Sequence, residues 1–196
     1  DCAHTGQFGV FSGLDRRTRL HFQDRDDELP LCDWLKLPGR HNLANALAAC
    51  CAALRAGASI DAIREGITNY QPLPHRLQWI ADVDGRSFYN DSLATTPESA
   101  IVGLQAFERP VMLLAGGYDK QVDLTEMGRE IAQQAKGVAL MGQTSAALRR
   151  IINAETGHSC HVSPELRSFR EAFDWAVSNS SSGDVILLSP GCASYD

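Results

Sequence analysis

The sequence contains no apolar run approaching the roughly 18 residues that cross a bilayer as a helix, and no basic-then-apolar segment that would read as a secretory signal. It has no excess of positive charge. Asp and Glu number 24 against 18 Lys and Arg, a formal net charge of −6, so the electrostatic footprint of a general nucleic-acid or membrane-surface binder is missing. It has no Cys-x-x-Cys. Of the six cysteines, Cys50 and Cys51 are neighbours inside a helical pattern and point to different sides, while Cys2, Cys32, Cys160 and Cys192 stand apart. The expectation is six reduced thiols in a cytoplasm rather than a disulfide framework. The six histidines are equally scattered. Cys160-His161 is the nearest approach to a metal motif, and two isolated ligands do not make a site, so no metal is expected in this chain. Gly-x-x-x-x-Gly-Lys-Ser/Thr is absent, and with it the phosphate-cradling loop that motif forms. The chain opens on Asp1 rather than Met and stops in mid-phrase at Asp196, the expectation for a piece of something longer.

What is present is the composition of a folded protein: 196 residues, 44% hydrophobic and 21% charged, enough for one large domain or two small ones. Residues 1–37 read as short strands and turns. Apolar stubs at 8–11 and 20–22 are separated by the turn-like Ser12-Gly-Leu-Asp15 and followed by a solvated acidic run at 24–28. Residues 38–70 read as a helical pair. Pro38-Gly39 breaks the chain, Asn42 is placed to cap a helix, and Leu43, Leu47, Cys50 and Leu54 recur at spacings of four, three and four. Gly57 ends that helix, and Ile60, Ile63, Ile67 and Tyr70 mark a second. Pro72 and Pro74 stiffen a connector, so the expected organisation is an incomplete domain over 1–72 and a second domain over 73–196.

From residue 75 onward strand and helix alternate. Segments 77–83 and 87–90 flank Asp84-Gly85, a hairpin signal. Thr96 precedes a helix with Pro97 in its first turn, whose Ala100, Ile101, Leu104 and Phe107 should face inward. Residues 111–115 are continuously apolar, as in a parallel strand buried on both faces. Strand 138–141, helix 145–152, strand 160–162, helix 164–177 and strand 185–188 complete the pattern. The predicted fold is an open α/β, Rossmann-like, mostly parallel sheet with helices on both faces. Ligands of such sheets sit at the carboxyl ends of the strands.

Four segments lie there or beside it. Asn90-Asp-Ser-Leu-Ala-Thr-Thr-Pro97 leaves a strand and starts a helix, offering hydroxyls and backbone N–H groups to an anion, or simply a capped helix start. Gly116-Gly-Tyr-Asp-Lys120 lets backbone approach a ligand and carries a cation, or is a tight turn with a solvated Lys. Ser189-Pro-Gly-Cys-Ala-Ser-Tyr-Asp196 ends the last strand, and Pro74-His-Arg76 opens the second domain.

Taken with Gly39-Arg-His-Asn-Leu-Ala-Asn45, these segments in this order and spacing resemble the Mur ligases, from about residue 38 to 196, and among them the branch that adds D-glutamate to UDP-N-acetylmuramoyl-L-alanine. The resemblance implies a tail of a central ATPase domain followed by nearly all of a C-terminal Rossmann-like domain. It implies ATP and Mg2+ as requirements of the full-length enzyme, with the metal ligands outside this chain, and an acyl phosphate attacked by the amine of D-glutamate. Asn45 would then contact adenine, and Arg76 and Asp91 the ATP ribose. Ser92, Thr95, Lys120, Ser194 and Tyr195 would surround the D-glutamate carboxylates, Lys120 serving catalysis as well, and His41 would open its helix. The chain carries Leu93 where the motif commonly has Lys. The resemblance also implies a cytoplasmic monomer without nucleic-acid or membrane partners, and a fragment inactive by itself. Another Mur-type or folylpolyglutamate-synthase-like ligase, or a non-catalytic nucleotide-binding module, stays open as an alternative.

Overall fold

The structure is a computed structural model, and it describes residues 8–12, 18–22 and 25–193. Residues 13–15 of the expected turn, Asp24, Ser194 and Tyr195 therefore lie outside the described residues. The chain forms two compact units, Asp1–Gln71 and Pro72–Asp196.

In the first unit, strands β1 (Phe8–Ser12), β2 (Thr18–Phe22) and β3 (Arg25–Leu29) pair antiparallel in that order, with Phe8 opposite Phe22 and Thr18 opposite Leu29. Most of the acidic run, from Arg25 onward, thus falls in β3, which pairs with β2 alone among the described strands. A short turn of helix, α1 (Leu31–Trp34), leads to α2 (Arg40–Arg55) and α3 (Ile60–Asn69). Asn42 does not cap α2. The cap is Gly39, and Asn42, inside the first turn, donates from Nδ2 to the Pro38 carbonyl at 2.7 Å, securing the bend that precedes the helix. Helix α3 starts on Ser59, whose Oγ accepts from the Ala62 N–H at 3.2 Å. Leu29, Leu31, Cys50, Leu54 and Ile63 form the buried core, with Leu43 and Leu47 half-buried against it. The stripe on α2 faces inward as its spacing predicts. Burial, and secondarily the neighbouring Cys51, pushes the Cys50 thiol pKa up.

The second unit is a six-stranded sheet flanked by helices. In chain order it contains β4 (Gln78–Val83), β5 (Arg86–Asn90), α4 (Pro97–Leu104), β6 (Val111–Gly116), α5 (Thr125–Gln134), β7 (Gly137–Met141), α6 (Ser145–Ala154), β8 (His161–Val162), α7 (Phe169–Ser178) and β9 (Val185–Leu188). The spatial order is β4-β5-β9-β6-β7-β8. Among the described strands of this sheet only the β4–β5 pair is antiparallel, turning at Asp84 and Gly85, both at positive φ; the other strand pairings are parallel.

Alternation along β6 explains its unbroken apolar sequence. Val111, Leu113 and Ala115 join Ala100 and Leu104 of α4, Met127 and Ile131 of α5, and Leu148 and Ile152 of α6 in one core. Met112 and Leu114 point the other way, onto Ala172 and Ala176 of α7. With both faces covered, no position in the strand has reason to be polar. Ile101 and Phe107 of the expected inward stripe are half-buried against the first core.

Two helices differ from expectation. Helix α5 carries no long apolar stripe; it buries Met127, Gly128, Ile131 and Ala132, mostly small or unbranched side chains among Glu, Arg and Gln. Helix α7 begins at Phe169 rather than 164 because Ser168 caps it: its Oγ accepts from the Glu171 N–H at 3.2 Å, and Glu171 reaches back to the Arg167 N–H at 2.8 Å. At the amino edge of the sheet, Arg109 ties the carbonyls of Gly183 (2.8 Å) and Asp184 (3.0 Å) to the Ser87 hydroxyl (3.1 Å), and Lys136 pairs with the buried Asp184. Among the described residues no helix is long and apolar enough to cross a membrane.

Candidate functional site

Because β5, β6, β7 and β9 run parallel, the segments that follow them leave the sheet at one edge. Three of those segments were singled out in the sequence, and the structure stitches them together through the backbone. The Gly191 N–H donates to the Ala94 carbonyl at 2.8 Å, Gly116 N–H to Pro190 at 2.8 Å, and Tyr118 N–H to Ala193 at 2.8 Å. The segment opening the second unit joins them: Leu93 N–H donates to the His75 carbonyl at 3.1 Å, and His75 Nδ1 lies 3.0 Å from Asn90 Nδ2.

Asp91 is the hinge of this arrangement. Its N–H donates to Leu188 at 2.8 Å, Oδ1 accepts from the Leu77 N–H at 3.0 Å, and Oδ2 accepts from the Ser189 hydroxyl at 2.8 Å. Asp91 is 2% exposed and Ser189 0%. The resemblance gives Asp91 to the ribose; as folded here, its carboxylate holds the turn around His75 and Leu77, both at positive φ, rather than facing outward. Gly103 of α4 makes room for it, since a Cβ there would come within 2.8 Å of Oδ2. In the same segment Ser92 is half-buried, its N–H donating to Asn90 Oδ1 at 3.0 Å. Thr95 is exposed, Leu93 is 46% exposed, and Thr96 caps α4 as expected, its Oγ1 accepting from the Ser99 N–H at 3.4 Å.

Lys120 ends the segment after β6. It is exposed, as are Tyr118 and Asp119. Close backbone approach governs this loop. A Cβ on Gly116, at φ 104°, would collide with the Met141 carbonyl, and one on Gly142, at φ 68°, would lie 2.7 Å from Gly117 Cα, so glycine is required at both. Thr144, 2% exposed, accepts from the Gly117 N–H at 3.0 Å, donates to the Gly117 carbonyl at 3.3 Å, and touches Cys192 Sγ at 3.4 Å. Gln143 Oε1 accepts from the Asp119 N–H at 3.2 Å. Burial pushes the Cys192 thiol pKa up, and the Thr144 hydroxyl offsets part of that rise.

Asp91 and Lys120 therefore share the sheet edge that the sequence assigned them. Arg76 is exposed in the turn beside Asp91, its N–H donating to the Leu73 carbonyl at 3.2 Å. Asn45 is in the first unit, exposed on α2 and lining an apolar groove of about 480 Å³ with Ala46, Ala49, Ile63 and Ile67. His41 is half-buried in the first turn of α2. Sequence reasoning missed Thr144, Gln143 and the partner role of Ser189. The available signal was position: Gly142-Gln-Thr follows a strand of the parallel sheet, as the recognised segments do.

An open, mostly parallel sheet whose small-residue loops converge at the carboxyl edge defines a Rossmann-like α/β domain. The chain belongs to the Mur ligase family, whose description "Mur ligase, glutamate ligase domain" matches residues 75–192. It is 38% identical over 172 residues to the UDP-N-acetylmuramoylalanine–D-glutamate ligase of Clostridium kluyveri (strain NBRC 12016), covering 87% of this chain and 37% of that protein. It is 36% identical over 196 residues to the protein of the same name from Roseiflexus sp. (strain RS-1), covering 98% and 41%. The chain thus spans about two-fifths of the length of these curated relatives. Among solved structures, UDP-N-acetylmuramate-alanine ligase of Thermotoga maritima is similar at a TM-score of 0.68 and 15% identity, covering 97% of this chain and 44% of that one. Folylpolyglutamate synthase of Mycobacterium tuberculosis is similar at 0.64 and 19%, covering 95% and 46%. At these identities the likeness shows a shared fold. Mur ligases are ATP-dependent enzymes.

Proposed function

We propose that this chain is the C-terminal part of a ligase that joins D-glutamate to UDP-N-acetylmuramoyl-L-alanine in peptidoglycan synthesis, with ATP as the driving substrate. The observation that carries this reading is the convergence of segments 90–97, 116–120 and 189–193 through direct backbone hydrogen bonds. The names of relatives at 36–38% identity support it.

D-glutamate brings two carboxylates, and binding them requires a cation and several hydroxyl or N–H donors. Lys120 would supply the cation; Ser92, Thr95, Ser194 and Tyr195 would supply donors. Holding both carboxylates leaves the amine free to attack the activated muramoyl-alanine carbonyl. The new C–N bond forms as the acyl C–O bond to phosphate breaks, inorganic phosphate leaves, and the amine gives up a proton. For the nucleotide, Asn45 offers an exposed amide beside an apolar surface, the chemistry of an adenine contact, and Arg76 an exposed guanidinium for the ribose side. Asp91 would act by fixing the turn that carries Arg76. The Mg2+ that ATP-dependent enzymes generally need would be held, as the family resemblance implies, by residues outside this chain. The protein would work as a cytoplasmic monomer.

Leu93, exposed where the motif commonly has Lys, favours one second reading, a ligase of the same family with a different amino acid. The test is the full-length protein assayed with UDP-N-acetylmuramoyl-L-alanine, ATP and a panel of amino acids. ATP turnover that depends on D-glutamate supports the first reading. Dependence on another amino acid moves the assignment to the second, and turnover independent of any amino acid refutes both.

A further inference from the structure

Thr144 occupies the N-cap position of α6, where a threonine ordinarily accepts from an N–H of its own helix. Here it makes no side-chain cap bond. Its hydroxyl instead crosses to the neighbouring loop, accepting from the Gly117 N–H (3.0 Å) and donating to the Gly117 carbonyl (3.3 Å), while its own N–H donates to that carbonyl at 3.2 Å. Cys192 Sγ, at 3.4 Å, brings the segment after β9 to the same oxygen. One buried hydroxyl therefore joins the segments that follow β6, β7 and β9. A local preference left unused in favour of a cross-loop contact is what a functional position leads one to expect.

We propose that Thr144 is a positioning residue for Lys120: by clasping Gly117 on both its N–H and its carbonyl, it sets the path of residues 117–120 and so places the Lys120 ammonium for the carboxylates of the incoming amino acid. The inference rests on the reading of Lys120 given above. The clasp fits the position mechanically. Gly142 packs against Gly117, where a Cβ on Gly142 would lie 2.7 Å from Gly117 Cα, and the bonds of Tyr118 to Ala193 and Asp119 to Gln143 carry the anchor along the segment. Side-chain precision at a binding group depends on such support from beneath.

The test uses Thr144→Val, Thr144→Ser and Lys120→Ala in the full-length protein, with amide hydrogen exchange alongside steady-state kinetics. Thr144→Val keeps the shape and removes the hydroxyl; should it fail to fold, Thr144→Ala against Thr144→Ser makes the same comparison. The expected result is a rise of about tenfold in KM for the amino acid in Thr144→Val, with KM for ATP within about twofold, faster exchange confined to residues 116–121, and near-normal values in Thr144→Ser. Thr144→Val in a Lys120→Ala background should add little. Unchanged exchange or an unchanged amino-acid KM in Thr144→Val, beside an impaired Lys120→Ala, overturns the positioning role and leaves the reading of Lys120 intact. A Lys120→Ala protein with normal kinetics overturns that reading and the inference with it. Equal losses across all substrates in Thr144→Val and Thr144→Ser mark a general packing role and also overturn the proposal.

Discussion

Replacing Asp91 with Ala should destabilise the second unit by about 3–5 kcal/mol. The side chain is 2% exposed and serves two donors that have little access to water, the Leu77 N–H and the hydroxyl of Ser189, itself 0% exposed. A hydrogen bond to a charged group contributes about 1.5–3 kcal/mol, and a buried donor left without a partner costs about 1–3 kcal/mol. Two such bonds reach the stated range once the relief of desolvating the carboxylate is subtracted. Asp91→Asn should lose only about 1 kcal/mol, because its Oδ1 can still accept from Leu77 and the Ser189 hydroxyl can turn from donor to acceptor. Urea unfolding of the chain in a Trp34→Phe background follows Trp79 and Trp175, both in the second unit. A loss below about 1 kcal/mol for Asp91→Ala, or equal losses for Ala and Asn, would refute the argument that the carboxylate organises this turn.

Three further outcomes are expected. In the full-length protein, Lys120→Ala should lower kcat/KM for D-glutamate by roughly 30- to 1000-fold with less effect on acyl-phosphate formation, and Leu93→Lys should tighten D-glutamate binding; D-glutamate titrations of both variants check this. The chain on its own should neither hydrolyse ATP nor bind it at micromolar concentration, since the proposed adenosine contacts come without a phosphate-cradling loop to supply the remainder of about 8 kcal/mol, and calorimetry decides the point. Burial pushes the Cys160 thiol from 9.0 to about 12, so stability should be fully present below about pH 9. Above that the unfolded chain ionises and the folded chain does not, and stability should fall toward pH 12 by up to about 1.4 kcal/mol per pH unit. Denaturation series on the parent and Cys160→Ala should show the variant with the shallower alkaline decline.

The sheet was legible where physics leaves few choices. A strand covered on both faces must be apolar throughout, so residues 111–115, 138–141 and 185–188 announced themselves, as did the Asp84-Gly85 turn. Helix α5 escaped because Met127, Gly128, Ile131 and Ala132 bury little volume each; Gly128 is needed small against Ile151 of α6, a tertiary requirement that lowers the helical signal. Asn42 misled because its amide served the preceding turn instead of the helix. At the site, motif words located Asp91 and Lys120 at one edge, but side-chain direction is a property of packing. That Asp91 turns inward, and that Thr144 reaches across to Gly117, depends on neighbours dozens of residues away in sequence.

Strand β9 occupies the middle of the sheet between β5 and β6, although it is the last of the described strands in chain order. On a ribosome, the hairpin of β4 and β5 and the block of β6, β7 and β8 emerge with no strand to join them, each presenting an unpaired backbone edge, apolar in the case of β6. Only when residues 185–188 clear the exit tunnel can the two halves zip onto a common strand, and the Asp91–Ser189 bond then closes a separation of 98 residues. Such long-range closure is slow and exposes unpaired edges while it waits. A nascent chain stalled before Val185 should accordingly be a client of chaperones that cover apolar strands, and one in which residues 185–193 have cleared the tunnel should not.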